Sequence, residues 1–163
     1  MAEYTRRRNL NRGYMTLGVW HRSIDLYKLI HRIVYVDNRI DFKVRSQIAD
    51  ASQSVSANIA EGYGRRSINE YLQFLYIALG SLAETFSRAI ALNAADQISS
   101  KELEGIDILH YEVENKLLKL VRSLEAKRTD GTWQARISDD FEKYIAQQPD
   151  QKAEPKPYKS PKP

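Results

Sequence analysis

The chain of 163 residues contains no cysteine. This excludes disulfide staples, thiolate zinc sites and cysteine nucleophiles, and it is compatible with a reducing cytosol. Proline is absent from the first 148 residues: Pro149, Pro155, Pro157, Pro161 and Pro163 all fall in the last fifteen. With only seven glycines in the whole chain, little interrupts long helices before that tail. No secretory leader is visible, because residues 1–13 are polar and arginine-rich and lack the apolar stretch a leader requires. The longest nearly uncharged apolar run, Tyr71–Ala83, is well short of the roughly 20 residues of a membrane span. These absences predict a cytoplasmic protein with one core and no membrane segment.

The formal net charge of +4 is unevenly placed. Arg6, Arg7, Arg8 and Arg12 stand against Glu3 alone in residues 1–13. Lys152, Lys156, Lys159 and Lys162 outnumber Asp150 and Glu154 in residues 149–163, and the stretch between these ends is close to neutral. Basic arms of this kind either meet phosphate polymers through counterion release or simply keep a protein soluble. The Lys/Pro tail has too little apolar surface to fold alone and is expected to be disordered.

Four long helices are predicted from apolar spacing. The first, about Leu17 to Val36, repeats Val19, Trp20, Ile24, Tyr27, Ile30 and Val34 at three- and four-residue steps. A turn follows at Asp37, Asn38 and Asp41. The second, about Phe42 to Glu61, carries Val44, Ile48, Ala51, Val55 and Ile59, with Gly62 at the place of a left-handed C-cap. The third opens on a capping-box pattern, Ser67 to Glu70, and runs to about Asn93. It has two apolar rows, Tyr71–Leu75–Ala78–Leu82–Ala89 and Leu72–Leu79–Phe86–Ile90. One stripe suffices for a bundle core, so the surplus suggests burial on two sides, by the bundle and by another subunit. The fourth starts at a second box, Ser99 to Glu102, and reaches about Lys127 with Leu103, Ile106, His110, Val113, Leu117, Leu120 and Leu124 at core spacing. Trp133, Ile137, Phe141 and Ile145 then recur every four residues, compatible with a short fifth helix. The predicted architecture is all-α, an antiparallel up-and-down four-helix bundle over residues 14–128. It is flanked by a basic arm (1–13), a linker with a short amphipathic helix (129–148) and a disordered Lys/Pro-rich tail (149–163).

No catalytic residue or cofactor is assigned. Ser81 lies within a helix and not at a strand-to-helix nucleophile elbow. The glycines of Gly62-Tyr63-Gly64-Arg65-Arg66-Ser67 lack the phosphate-loop spacing and its lysine. Asp107 and His110 share a helix face, but a di-iron bundle needs two Glu-x-x-His pairs, and neither His21 nor His31 has a carboxylate three residues earlier. A metal-dependent bundle enzyme is therefore the weakest alternative. His110 is expected to be buried and hydrogen-bonded, with Glu114 one turn on as its partner. Asn58 and Glu61, three apart, are the candidate members of a structural polar network with Gln47 and Ser54. Arg65 and Arg66 sit just before the third helix, where the macrodipole disfavours cations. Two readings stay open for them: pairing with Glu61 or Glu70, or contact with an outside phosphate.

Gln47-Ile48, the run Ser54 to Ser67 with Asn58-Ile59-Ala60-Glu61-Gly62-Tyr63-Gly64-Arg65-Arg66-Ser67, and the segment Glu70 to Glu84 carry a resemblance. With Trp20, they make residues 17–127 similar to the bacterial four-helix-bundle family first noticed in intervening sequences of large-subunit ribosomal RNA genes. The resemblance implies a non-enzymatic bundle that assembles with itself, usually as a homopentamer, and associates with nucleic acid, RNA favoured. A related branch, the accessory variability proteins of diversity-generating retroelements, implies an alternative in which the partner is a reverse transcriptase and its RNA. Ala49 and Asp50 replace two arginines of the family pattern, Ser56 replaces a proline, and Val36-Asp37-Asn38-Arg39 replaces a Phe-Pro turn. Positive charge is thereby lost from the second helix. The expected nucleic-acid-binding residues are Arg6, Arg7, Arg8, Arg12, Lys152, Lys156, Lys159 and Lys162 on the arms, with Arg65 and Arg66 on the bundle.

Overall fold

The structure, a computed structural model, describes residues 10–35 and 40–134. A 3₁₀ turn, Leu10–Thr16, leads into four helices: α1 (Gly18–Tyr35), α2 (Phe42–Tyr63), α3 (Ile68–Ala94) and α4 (Ser100–Thr129). Among the described residues no strand occurs. The short connections force neighbouring helices to run antiparallel. Each helix packs on its two sequence-ring neighbours, while no Cα of α1 comes within 8 Å of α3, nor of α2 within 8 Å of α4. This is the square arrangement of an up-and-down bundle.

Local chemistry sets most helix ends. The Asp41 side chain accepts from the Lys43 backbone N–H at 2.8 Å and starts α2. At α4 the capping box forms, with Ser99 Oγ accepting from the Glu102 N–H and the Glu102 carboxylate accepting from the Ser99 N–H at 2.7 Å. The similar pattern at Ser67 and Glu70 does not become a box: Ser67 is the N-cap of α3, but its side chain makes no capping bond. Helices α3 and α4 both end in paired backbone bonds that reach back over the last turn, Gln97 N to Leu92 O and Asp96 N to Asn93 O, and Thr132 N to Lys127 O and Gly131 N to Arg128 O. That motif requires a left-handed residue, supplied by Gly131 (φ 65°) after α4 and by Asp96 (φ 55°) after α3.

Gly62 is not a C-cap, contrary to the expectation from sequence. It lies inside α2, which ends at Tyr63 with Gly64 in right-handed geometry as the cap. A β-carbon on Gly62 would stand 2.8 Å from both Phe74 Cβ and Tyr71 Cδ2. The glycine is needed for the close approach of α2 and α3, not for its freedom at φ > 0.

The core is built from Leu26, Ile30, Ile48, Val55, Ile59, Leu72, Leu75, Leu82, Ile106, Val113 and Leu117, all essentially inaccessible. In α1 the buried stripe includes Ser23 and Leu26 in place of Ile24 and Tyr27, and in α4 Val121 is buried where Leu120 is only half-buried. The buried hydroxyls of Ser23, Ser52 and Thr85 donate to the carbonyls of Trp20, Ala49 and Ser81 at 2.7–2.8 Å, so none is orphaned. Helix α3 is long and apolar enough, by length and composition, to cross a membrane. Its residues Tyr71, Leu72, Leu75, Ala78, Leu82, Thr85, Ala89 and Leu92 are nevertheless buried within the bundle. Its second apolar row is largely covered within the same chain: Leu79 and Phe86 pack on the core, and Phe86 stacks on His110 of α4, whereas Ile90 remains 47% exposed.

Candidate nucleic-acid interface

Antiparallel topology brings three distant pieces of sequence to one pole of the bundle: the 3₁₀ turn with the start of α1, the α2–α3 connection, and the end of α4. Aromatic contacts lock them together. Tyr14 meets Trp20 and Tyr63 edge-on at 5.3 and 6.4 Å, and Tyr63 meets Tyr71 at 6.2 Å. His21 donates from Nε2 to the Met15 carbonyl at 2.7 Å, which holds the turn against α1.

Arg12, Arg65, Arg66, Lys127 and Arg128 are the described cations of this pole. Arg65 and Arg66 take different roles. Arg65 pairs with Glu61 one turn back and lies 4.6 Å over the Phe74 ring, which fixes its plane. Arg66 is exposed and makes no ion pair with a described residue. Lys127 and Arg128 occupy the last turn of α4, where a helix C-terminus favours cations. The acids nearby are Glu61, held by Arg65, Glu125, which accepts from the Tyr76 hydroxyl at 2.6 Å, and Glu70 and Asp130. That hydrogen bond to Glu125 pushes the Tyr76 hydroxyl above its ordinary pKa.

A cavity of about 380 Å³ opens at the same pole, between Tyr63, Arg65, Tyr71, Lys127 and Trp133. Arg6, Arg7, Arg8, Lys152, Lys156, Lys159 and Lys162 lie outside the described residues, as do Ile137, Phe141 and Ile145 of the expected fifth helix.

Asn58 lies elsewhere, midway along the α2–α3 seam. Its Nδ2 donates to the Ser54 carbonyl and Oγ at 2.8 and 2.9 Å, and Ser54 Oγ is 3.0 Å from Ser81 Oγ on α3. Farther along the seam Arg88 donates to Gln47 Oε1 at 2.9 Å and pairs with Glu84 at 2.8 Å. Glu61 belongs to neither group, because it faces Arg65. In sequence Ser81 is visible only as an unsuitable nucleophile; its partnership with Ser54, 27 residues away, has no sequence signal.

His110 is buried and stacked on Phe86 at 4.7 Å, but it is not bonded to Glu114, and its Nε2 has no hydrogen-bond partner among the described residues. Burial pushes its pKa below the ordinary 6.5, against the charges of Glu114 and Asp107 and a bond to the Leu82 backbone, which act the other way. Among the described residues no group of three or more His, Asp or Glu is placed to hold a metal ion.

Comparison with known proteins follows the fold. Residues 15–119 match the family model described as 23S rRNA-intervening sequence protein. A similar solved structure is a 1.70 Å crystal structure of a protein of unknown function from the S23 ribosomal protein family of Bacteroides thetaiotaomicron VPI-5482. It is 23% identical, with a TM-score of 0.58, and the match covers 64% of this chain and 95% of that one. At this identity the likeness shows the shared helical fold. Among curated proteins none matches the chain.

Proposed function

The chain belongs to the 23S rRNA-intervening sequence protein family, and on that footing we propose that it is a non-enzymatic, self-associating scaffold that binds nucleic acid electrostatically, RNA in preference to DNA. One observation carries this reading. The chain enters the described structure at Leu10 and leaves it at Gln134 at the same pole, where Arg65, Arg66, Lys127 and Arg128 also lie. The N-terminal basic arm and the segment that leads on to the Lys/Pro tail therefore join the described structure at one pole, beside these cations. Phosphates are the natural partners of such a basic platform, which positions a strand without reading its bases.

Self-association would multiply the platform. It is supported by the outward face of α3, where Ile77 (44% exposed) and Ile90 (47% exposed) alternate with Gly80, Ala83 and Ala91. The charge of Glu84 on that face is already paired with Arg88. A bundle helix ordinarily turns a charged face to water. Five copies, the number its resemblance implies, would convert a weak contact per pole into avidity.

The test is binding of a fluorescent RNA hairpin, and of the matched DNA duplex, across a salt series, with light scattering on the same samples. Full-length protein should bind RNA with an affinity that falls about 10³–10⁵-fold between 50 and 200 mM salt if six to ten phosphates are neutralised. Replacing Arg6, Arg7, Arg8 and Arg12 by alanine should flatten that dependence. Absence of binding at low salt would overturn the nucleic-acid reading, and a monomer at micromolar concentration would remove the avidity.

A further inference from the structure

We propose that the cavity at the basic pole is a pocket for a single unpaired nucleotide, its base stacked on Trp133 and its phosphate held by Arg65 and Lys127. This deepens the nucleic-acid reading above and rests on it for the polymer that would supply the nucleotide. The cavity, about 380 Å³, falls within the size range of small-ligand sites. Its lining divides in two, as an amphipathic ligand requires. Leu17, Leu120, Leu124 and the buried Tyr71 give an apolar floor, Tyr63 closes it where it meets Tyr14 and Tyr71, and Trp133 supplies the stacking ring.

Among the described residues lining the cavity, the charged groups are of one sign. Arg65 and Lys127 are its charged groups, and no carboxylate is found among the described residues that line it. Other clefts in the molecule differ on this point: one between α3 and α4 is lined by Asp96 and Glu102, and one along the α2–α3 seam by Asp50 and Glu84 with Arg88. Here Arg65 is itself paired with Glu61, and Lys127 adds a positive charge that no described acid pairs. Arg65 is also prepared for the task. Glu61 engages one guanidinium nitrogen and the Phe74 ring fixes the plane, which leaves further N–H donors of the fork for a phosphate oxygen. Lys127 has no acidic partner among the described residues.

A flat aromatic ring joined to a phosphate is the chemistry these two halves share, and nucleotides provide it. Base–aromatic stacking tolerates any base, so the pocket would prefer single-stranded over paired RNA without preferring a sequence. A base inside a duplex cannot enter it.

The two tryptophans make the test direct, because Trp20 lies in the core while Trp133 lines the pocket. The indole N–H signals of full-length protein would be followed by NMR during titration with uridine monophosphate and then with a ten-residue uridine strand. The Trp133→Phe variant assigns the pocket signal. Binding of the strand and of a duplex of equal length would be measured in parallel by anisotropy. We expect both ligands to shift the Trp133 signal and leave that of Trp20 in place. Trp133→Ala should weaken strand binding roughly 5- to 150-fold, the equivalent of losing one stacked base, with duplex binding unchanged, and Trp133→Phe should restore most of it. If strand and duplex bind equally and the Trp133 signal stays fixed, the pocket is overturned while the electrostatic platform stands. If the mononucleotide shifts Trp133 but no polymer binds, the pocket stands as a free-nucleotide site and the platform reading fails. If nothing binds and nothing shifts, both are overturned.

Discussion

Replacing His110 by leucine should change the stability of this protein little at pH 8 and raise it relative to the parent at pH 5. The imidazole is 9% exposed, and its Nε2 is buried without a partner. Leaving a buried polar group unpaired costs about 1–3 kcal/mol, a penalty a leucine of similar volume avoids. Against this stand the stacking of His110 on Phe86 and its bond to the Leu82 backbone, worth about 0.5–1.5 kcal/mol each. These contributions roughly cancel, so the balance at neutral pH is within about 1 kcal/mol of zero. The pH dependence follows from the direction of the shift. Burial lowers the folded-state pKa below 6.5, so on acidification the unfolded chain takes up a proton that the folded chain resists. Parent stability is therefore lost as pH falls through 6.5 towards the folded pKa, by at most about 1.4 kcal/mol per pH unit for one group. Below the folded pKa the loss levels off. His21 and His31 are common to both proteins and cancel in the difference. Urea unfolding of the parent and of the His110→Leu variant at half-unit steps from pH 8 to 5 measures the gap. A gap that stays constant, or narrows on acidification, would refute the reasoning.

Three sets of substitutions test the packing and the caps. Gly62→Ala gains about 1 kcal/mol of helix propensity but places a methyl group 2.8 Å from Phe74 Cβ and Tyr71 Cδ2. Crowding of that kind typically costs about 1–3 kcal/mol, so a lowered Tm is expected and a raised one would show that the α2–α3 contact yields freely. Asp96→Gly relieves a left-handed residue after α3 and should add about 1 kcal/mol, or about 2–4 °C in Tm; an unchanged Tm would mean that the aspartate side chain compensates locally. Ser99→Ala should cost about 1 kcal/mol because it dismantles a formed capping box. Ser67→Ala should cost less than about 0.5 kcal/mol, since no side-chain cap is lost there; equal losses in urea unfolding would contradict the structure's distinction between the two serines.

Helix number and order are legible in the sequence because apolar spacing over some twenty residues overrides local accidents. The details that are not legible share a cause. Local rules for helix ends misassign Gly62 and Ser67: the approach of α3 decides the first, and the second makes no capping bond. Ser23 and Leu26 displace Ile24 and Tyr27 from the α1 stripe: a serine whose hydroxyl bonds to the preceding turn can be buried, which a scan for apolar residues does not detect, and with Ser23 inside, the stripe turns to take in Leu26. The surplus row on α3 is legible as surplus, but not as the surface on which His110 stacks. The pole is the least legible feature. Its cavity draws on residues from Leu17 to Gln134, and only the antiparallel topology reveals that they meet. Arg65 and Arg66 stand out together in sequence because they are adjacent, whereas the structure gives one a carboxylate partner and leaves the other exposed.

Hydrogen–deuterium exchange of the full-length protein, with and without a saturating RNA hairpin at low salt, tests most directly whether this pole is the working surface. Protection is expected in the 3₁₀ turn Leu10–Thr16, in residues 61–70 and in residues 123–134, with no change at the opposite pole around residues 40–45 and 95–102. Protection spread along the α2–α3 seam, or appearing first at the opposite pole, would contradict the account.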